Sequence, residues 1–350
     1  RTHLATTPLY YVTMTSKIFS IPLNPLINRE DLDGVYIPFI QSNKQSIFDI
    51  YCTVRIEPFT QDAMGNQFDS DEAQTQIDTL FELQDLTGVR MTAAFNNINV
   101  IADINNLTIF IDNLKPLYER GLRSIIIPHQ HWMRTGMLQK EFPDMLIKNT
   151  IVSALYDLQD VYEAAVAGFD YIHLDRNIIR DHDTLDQIPL LRDKIKERTG
   201  KDIMLSLLAN EGCLGRCPLQ KEHYNFNLTR TTEKSYFTNK MSVISCSKWK
   251  NDDPAYFLKI ANIPPLKSEY DHYLNYFDTI KLHGRDSMHV LEDTMAIVDN
   301  YNANNEELFE PHIWHYKSKL GNKYNMFIKD VSRNCKFQCW KCNWCDENVL

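Results

Sequence analysis

Short apolar runs alternate along most of the chain with stretches whose apolar residues recur at helical spacing. The runs at 17–23, 35–39, 47–54, 89–95, 123–127, 148–155, 170–174, 203–208 and 277–282 read as strands, with either 35–39 or 47–54 at an edge or in an insertion. Between them, Ile77, Leu80, Phe81, Leu83 and Leu86 fall on one face of a helix over 70–86. Leu107, Phe110, Ile111, Leu114 and Leu117 do the same over 103–120. Helices over 158–167 and 183–198 are stopped by Gly168 and Gly200, and a last one spans 287–301. Strand-then-helix repetition of this kind predicts parallel strands joined by crossover helices. The strand count favours an α/β fold closed as a (β/α)8 barrel over an open sheet. The rhythm breaks at 218–276, a polar and aromatic stretch with Pro254, Pro264 and Pro265, which predicts a long insertion before the last strand. The expected organisation is a barrel over 1–301 and a C-terminal extension over 302–350.

Composition narrows the class of protein. Hydrophobic residues make up 43% and charged residues 24%, values ordinary for a folded globular chain. The net charge of −9 argues against a general binder of double-stranded DNA, which needs a basic surplus. No run is long and apolar enough for a transmembrane helix. The start has no basic segment followed by an apolar one, so it does not read as a signal peptide. With 8 cysteines and no such signal, a reducing, cytoplasmic setting with metal ligation is expected rather than disulfides.

The chemistry falls in two places. In a parallel barrel the C-terminal ends of the strands form the reactive face. Polar residues stand at those ends here: Asn96 and Asn97, His129 and His131, Asp175 and Arg176, Asn210 and Glu211, and His283 with Arg285. Cys213 and Cys217 follow directly, on a turn with Gly212, Gly215 and Pro218, and soft thiolates so placed suit iron–sulfur or zinc. Cys246 is a third candidate ligand, and Cys52 is either a fourth or a core residue. The second place is the end of the chain, where Cys335, Cys339, Cys342 and Cys345 crowd into eleven residues. Such crowding reads as a metal site, with iron and zinc both open on spacing alone. The first three share the spacing of radical S-adenosylmethionine enzymes, but they lie at the wrong end of the chain, with Lys341 where an aromatic residue is expected.

The stretches Ser153–Asp157, Tyr171–Arg176 and Leu208–Pro218, continued by His223–Asn227, resemble the collagenase-like peptidase family U32. Phe95–Asn97 and Lys281–Arg285 extend the resemblance over most of the barrel, from about 90 to 300. Within that family the resemblance points to the branch of oxygen-independent hydroxylases that act on ubiquinone precursors and RNA bases with a 4Fe–4S cluster. It implies Cys52, Cys213, Cys217 and Cys246 as cluster ligands, although Cys246 follows the pair where the family places that ligand before it. A second cluster, or zinc, would occupy the tail. His129, Asp175, Glu211 and His283 are then acid–base or positioning candidates, and Arg285 would hold an anionic group of a small-molecule or RNA substrate. An electron donor or protein partner is implied. Two alternatives follow from the same residues: a peptidase, as the family label says, and a scaffold whose tail docks a partner through Lys336, Trp340, Lys341 and Trp344.

Overall fold

Eight parallel strands close into a barrel, in the computed structural model, which describes residues 17–24, 27–60, 70–229, 246–284 and 288–350. At 70–73, 225–229, 246–248 and 288–289 it describes the backbone alone. The barrel strands are β1 (Phe19–Pro22), β2 (Ile47–Thr53), β3 (Met91–Ala94), β4 (Ser124–Ile126), β5 (Leu146–Lys148), β6 (Tyr171–His173), β7 (Met204–Leu208) and β10 (Thr279–Lys281). Each pairs with its sequence neighbour, and β10 closes the ring between β7 and β1. β8 (Asn210–Leu214) and β9 (Ile260–Asn262) form a separate antiparallel pair inside the insertion.

Side chains alternate across the barrel wall, as a strand requires. Phe19, Ile21, Ile50, Met91, Ile125, Ile147, Ile172, Leu205 and Ile280 face outward into one core shared with the surrounding helices. The helix Ile104–Glu119 shows how that layer is made. Asp103 caps it by accepting from Asn106 N at 2.8 Å, its face of Leu107, Phe110, Ile111, Leu114 and Leu117 is buried, and Phe110 stacks on Trp132. Each such side chain stabilises by roughly 1.5–3 kcal/mol on burial.

The inward face is polar. Every barrel strand sends at least one buried polar side chain into the interior, among them Ser20, Asp49, Thr92, Ser124, Lys148, Tyr171, Ser206 and Thr279. Barrels of this architecture are ordinarily filled with branched apolar residues. Here Thr92 donates to Asp49 and shares a hydrogen bond with Ser124 Oγ at 2.9 Å, Lys148 pairs with Asp49, and Tyr171 shares a hydrogen bond with Thr279. The Lys148 ammonium lies 4.2 Å from the Tyr171 ring centre. Above this ring Tyr51, Ala94 and Ile126 form a small apolar plug of their own.

Three expectations about elements need correcting. Residues 35–39 are helical rather than extended, in a wide turn Leu32–Tyr36 followed by the helix Ile37–Asn43. Leu32, Tyr36, Phe39, Ile40 and Asn43 are buried while Val35 is 47% exposed, so the burial period is helical, not two. The strand expected over 148–155 ends at Lys148, and a short 3-10 turn Ile151–Ser153 follows, ending at Ala154 with φ 52°. The helix expected over 183–198 is two, His182–Leu185 and Ile188–Thr199; Pro189 starts the second because it lacks the N–H that a helix interior needs.

The C-terminal segment folds back onto the insertion. Its helix Glu310–Leu320 and the residues after it build a second core of Leu258, Tyr316, Leu320, Phe327 and Ile328, with Trp344 stacked on Phe327. Among the described residues no helix is long and apolar enough to cross a membrane.

Candidate functional site

β6 ends at His173, and Leu174 and Asp175 lead into a 3-10 turn, Arg176–Arg180, whose five residues are all buried. Asp175 caps that turn, accepting from Asn177 N at 2.8 Å, and its other oxygen accepts from Gln220 Nε2 at 3.0 Å. Burial pushes the Asp175 carboxyl above its ordinary pKa; the Asn177 N–H, Arg176 and Gln220 oppose the rise, and Glu211 adds to it. Arg176 donates to Glu211, which arrives from β8, and Cys213 lies two residues further along that strand. Burial pushes the Cys213 thiol up, Glu211 reinforces the shift, and Arg176 and Lys250 work against it. Tyr224 completes the group, within electrostatic reach of Arg176, Glu211 and Asp175. Two carboxyl groups, one guanidinium, a phenol and a thiol are therefore gathered at the mouth between β6 and β8.

The other end of the same turn reaches the tail. Arg180 is 2% exposed; it donates to Ile260 O at 3.0 Å and to Cys335 Sγ at 3.5 Å, and its guanidinium lies 4.5 Å from the Phe337 ring centre. Among the described residues no carboxylate forms an ion pair with Arg180, and its Nε is buried without an acceptor. Arg176 Nε is in the same condition. Cys345 feels Arg180, Cys335 and Cys339, and burial pushes its thiol up to about 12. Cys339, although exposed, feels Cys335, Cys342 and Arg180, and its thiol is raised by burial first.

The tail is pinned against this site by specific contacts. Lys336 pairs with Asp183 at 2.6 Å and Asp181 at 3.1 Å, Arg333 with the buried Glu269 at 2.6 Å, and Lys259 with Asp346 at 2.5 Å. Phe337, 5% exposed, lies over Gly215, where a Cβ would stand 2.1 Å from its ring. Lys336 and Trp344, expected to greet a partner, are thus engaged within the fold. Trp340 is 84% exposed.

The remaining expected residues are placed as follows. His129 ends β4's loop against Trp132, with ring centres 4.3 Å apart, and burial lowers its pKa to about 4. His283 is held by Asn210, which accepts from His283 N and donates to His283 O at 3.2 Å. Cys217 is half-buried just after the Cys213 strand. Cys52 points out of the barrel into the core between strands and helices, on the opposite side of β2 from Tyr51, so it belongs to the packing and not to the mouth. Arg285 and the side chain of Cys246 lie outside the described residues. Among the described residues no three His, Cys, Asp or Glu side chains are arranged to hold a metal ion, the four tail cysteines included.

No family model matches the chain, and no curated protein matches it. Solved structures do. The U32 peptidase Mk0906 is similar over 79% of this chain and 96% of its own, at 13% identity and a TM-score of 0.47. An HpcH/HpaI aldolase from Desulfitobacterium hafniense DCB-2 is similar over 56% of this chain and 80% of its own, at 10% identity and a TM-score of 0.33.

Several residues of the site were invisible as such in the sequence. Arg180 looks like an ordinary helical arginine, and Gln220 and Tyr224 sit in a polar insertion. His173 hides in an apolar run, yet it faces the interior at 2% exposure, with Nε2 buried and without a hydrogen-bond partner. Burial holds its pKa well below the ordinary value, helped by Lys281 and Lys148. The signal that would have found it is the inward register shared with Tyr171, two residues earlier.

Proposed function

We propose that this chain is a U32-like iron–sulfur enzyme of redox or oxygen-independent hydroxylating type, working at the mouth of its barrel. The observation that carries the reading is the single turn Arg176–Arg180, which sets one buried guanidinium against Cys213 and another against the tail thiols. Thiolates bound to a metal carry excess negative charge, and a buried cation without a carboxylate partner suits that charge. The donor set is soft, which favours iron–sulfur or zinc over hard cations. Cys335, Cys339, Cys342 and Cys345 would hold the group once their thiols close on it, and the turn that carries Cys213 and Cys217 meets the tail at the Gly215–Phe337 contact. When bound, such a group supplies one-electron chemistry.

The chain's own residues contribute the rest. Asp175, with its pKa raised, is suited to keep and deliver a proton. Glu211 is held beside it by Arg176. Burial keeps Tyr224 a phenol, and its oxygen accepts from Gln220 Nε2 at 3.4 Å. A thiol peptidase is the weaker reading, because burial and Glu211 keep Cys213 protonated, and the thiol is a far poorer nucleophile than the thiolate.

The test is metal and sulfide analysis of the full chain purified without air. Iron with equivalent inorganic sulfide, about four of each per cluster, and their loss in Cys335→Ser with Cys345→Ser support the proposal. Zinc without iron, or no metal at all, overturns it.

A further inference from the structure

A cavity of about 510 Å³ opens between the turn after β8, the insertion helix Cys246–Asp252 with the residues following it, and the tail. Its volume lies within the range of roughly 300–1,000 Å³ that small-molecule sites occupy. Four rings line it: Trp249, Tyr256, Phe337 and Trp340. They come from two segments far apart in sequence, and Gly215 forms part of the wall between them.

Cations stand around these rings. Arg180 lies 4.5 Å from the Phe337 centre, Lys250 is 5.6 Å from that of Tyr256, and Lys341 is 5.7 Å from that of Trp340. Arg216 and Lys259 line the cavity directly. The carboxylates around it are Asp252 and Asp253, with Asp346 behind Lys259. The lining itself holds two cations and two carboxylates, and Lys259 is bound to Asp253 and Asp346, so Arg216 is the lining cation left without an ion pair among the described residues. A guanidinium so placed on an aromatic wall is suited to take an anionic group.

We propose that this cavity binds a planar aromatic anion: a ring that stacks on Trp340 and Trp249 and carries a carboxylate or phosphate toward Arg216 and Lys341. Aromatic walls supply area and a flat face, and the cations fix orientation. Trp340 is 84% exposed, so its face is open to such a partner. The cavity lies on the tail side of β8, apart from the Asp175–Glu211 group at the mouth, and Cys339 forms part of its wall.

Calorimetric titration of the full chain tests it, with AMP and naphthalene-2-carboxylate as probes and adenosine and naphthalene-2-carboxamide as their neutral counterparts. Saturable binding of one chain to one anion is expected, with the neutral partner at least about tenfold weaker, as a lost charge-assisted contact implies. Binding of AMP alone identifies a nucleotide site, and binding of the naphthoate alone an aryl-acid site; either supports the proposal. Trp340→Ala should weaken binding about threefold to tenfold, and Arg216→Gln should weaken the anion more than its neutral counterpart, with near-ultraviolet circular dichroism unchanged in both. Absence of saturable binding by both anions, equal affinity for a neutral counterpart, or affinity unmoved in both variants overturns it.

Discussion

Phe337 occupies the space that any side chain at residue 215 would need: a Cβ there would stand 2.1 Å from its ring. The barrel turn and the tail are fitted to each other at this point, so Gly215 serves the docking of the tail as much as the turn. Gly215→Ala should therefore expel Phe337. An overpacked site costs about 1–3 kcal/mol, and losing the ring's burial costs a similar amount. The expected outcome is a tail cut by protease well before the barrel, with a lowered Tm. Phe337→Ala in the same chain should recover part of the loss, because the two changes act at one contact. Equal protease resistance of Gly215→Ala and the parent would show that the contact does not hold the tail.

Arg180 provides the second prediction. It is a buried cation facing Cys335 with aromatic rings and a carbonyl for company. Residues that support metal ligands typically change affinity by about 10–100-fold when removed. Arg180→Met keeps most of the volume and removes the charge. Metal retained by the full chain against a chelator should fall by that factor in Arg180→Met, whereas Arg176→Met should spare the tail metal. Equal retention in Arg180→Met and the parent would remove Arg180 from any role as counter-charge.

These two relationships mark how far the sequence could be read. Seven of the eight strands were legible because their outward residues are apolar and abundant, as in Ile21, Ile50 and Leu205, whereas the run expected at 148–155 meets β5 only at Lys148. Asp175, Glu211 and Cys213 were legible because strand ends in a parallel barrel share one face. The interior ring was not. Ser20, Thr92 and Ser124 are ordinary strand residues, and nothing local says that Asp49 meets Lys148 across the barrel. Cys52 was open between ligand and core because a period of two fixes only the side of the strand, and the side is decided by which neighbours are outward. The docking of the tail was equally hidden, since a glycine and a phenylalanine far apart in the chain carry no mutual signal.

The interior ring predicts a mutational asymmetry. Burial opposes the charge on Asp49, but Lys148 beside it and the hydroxyls of Ser20 and Thr92 outweigh that and hold its carboxyl below the ordinary range. Breaking a fully buried pair by removing one partner costs about 3–5 kcal/mol, while replacing both with apolar residues is often neutral. Asp49→Asn should thus lower stability by that amount in urea unfolding, and Asp49→Leu with Lys148→Met should recover much of it. The sign with pH follows. A lowered folded-state pKa gives stability that is present above the unfolded-state pKa and is lost as pH falls through the folded value. The stability difference between parent and Asp49→Asn should therefore shrink on strong acidification. A constant difference down to pH 2 would mean that Asp49 binds its proton in the fold as readily as in the unfolded chain.

His129 makes a prediction in a milder range. Its folded pKa is about 4, against 6.5 for a free imidazole, because burial beside Trp132 penalises the charged form. Between those values the unfolded chain binds a proton that the folded chain refuses, so stability rises with pH across that window and falls as pH drops from 6.5 toward 4. The contribution is at most about 3 kcal/mol, from the size of the shift. His129→Phe keeps the contact with Trp132 and removes the titration. Urea unfolding at pH 7, 6, 5 and 4 should show the variant losing less stability than the parent over this interval, with the two closest in slope above pH 7. Parallel curves over the whole interval would mean that His129 takes up its proton in the fold as readily as in the unfolded chain, and would place it in contact with water or with an anionic partner.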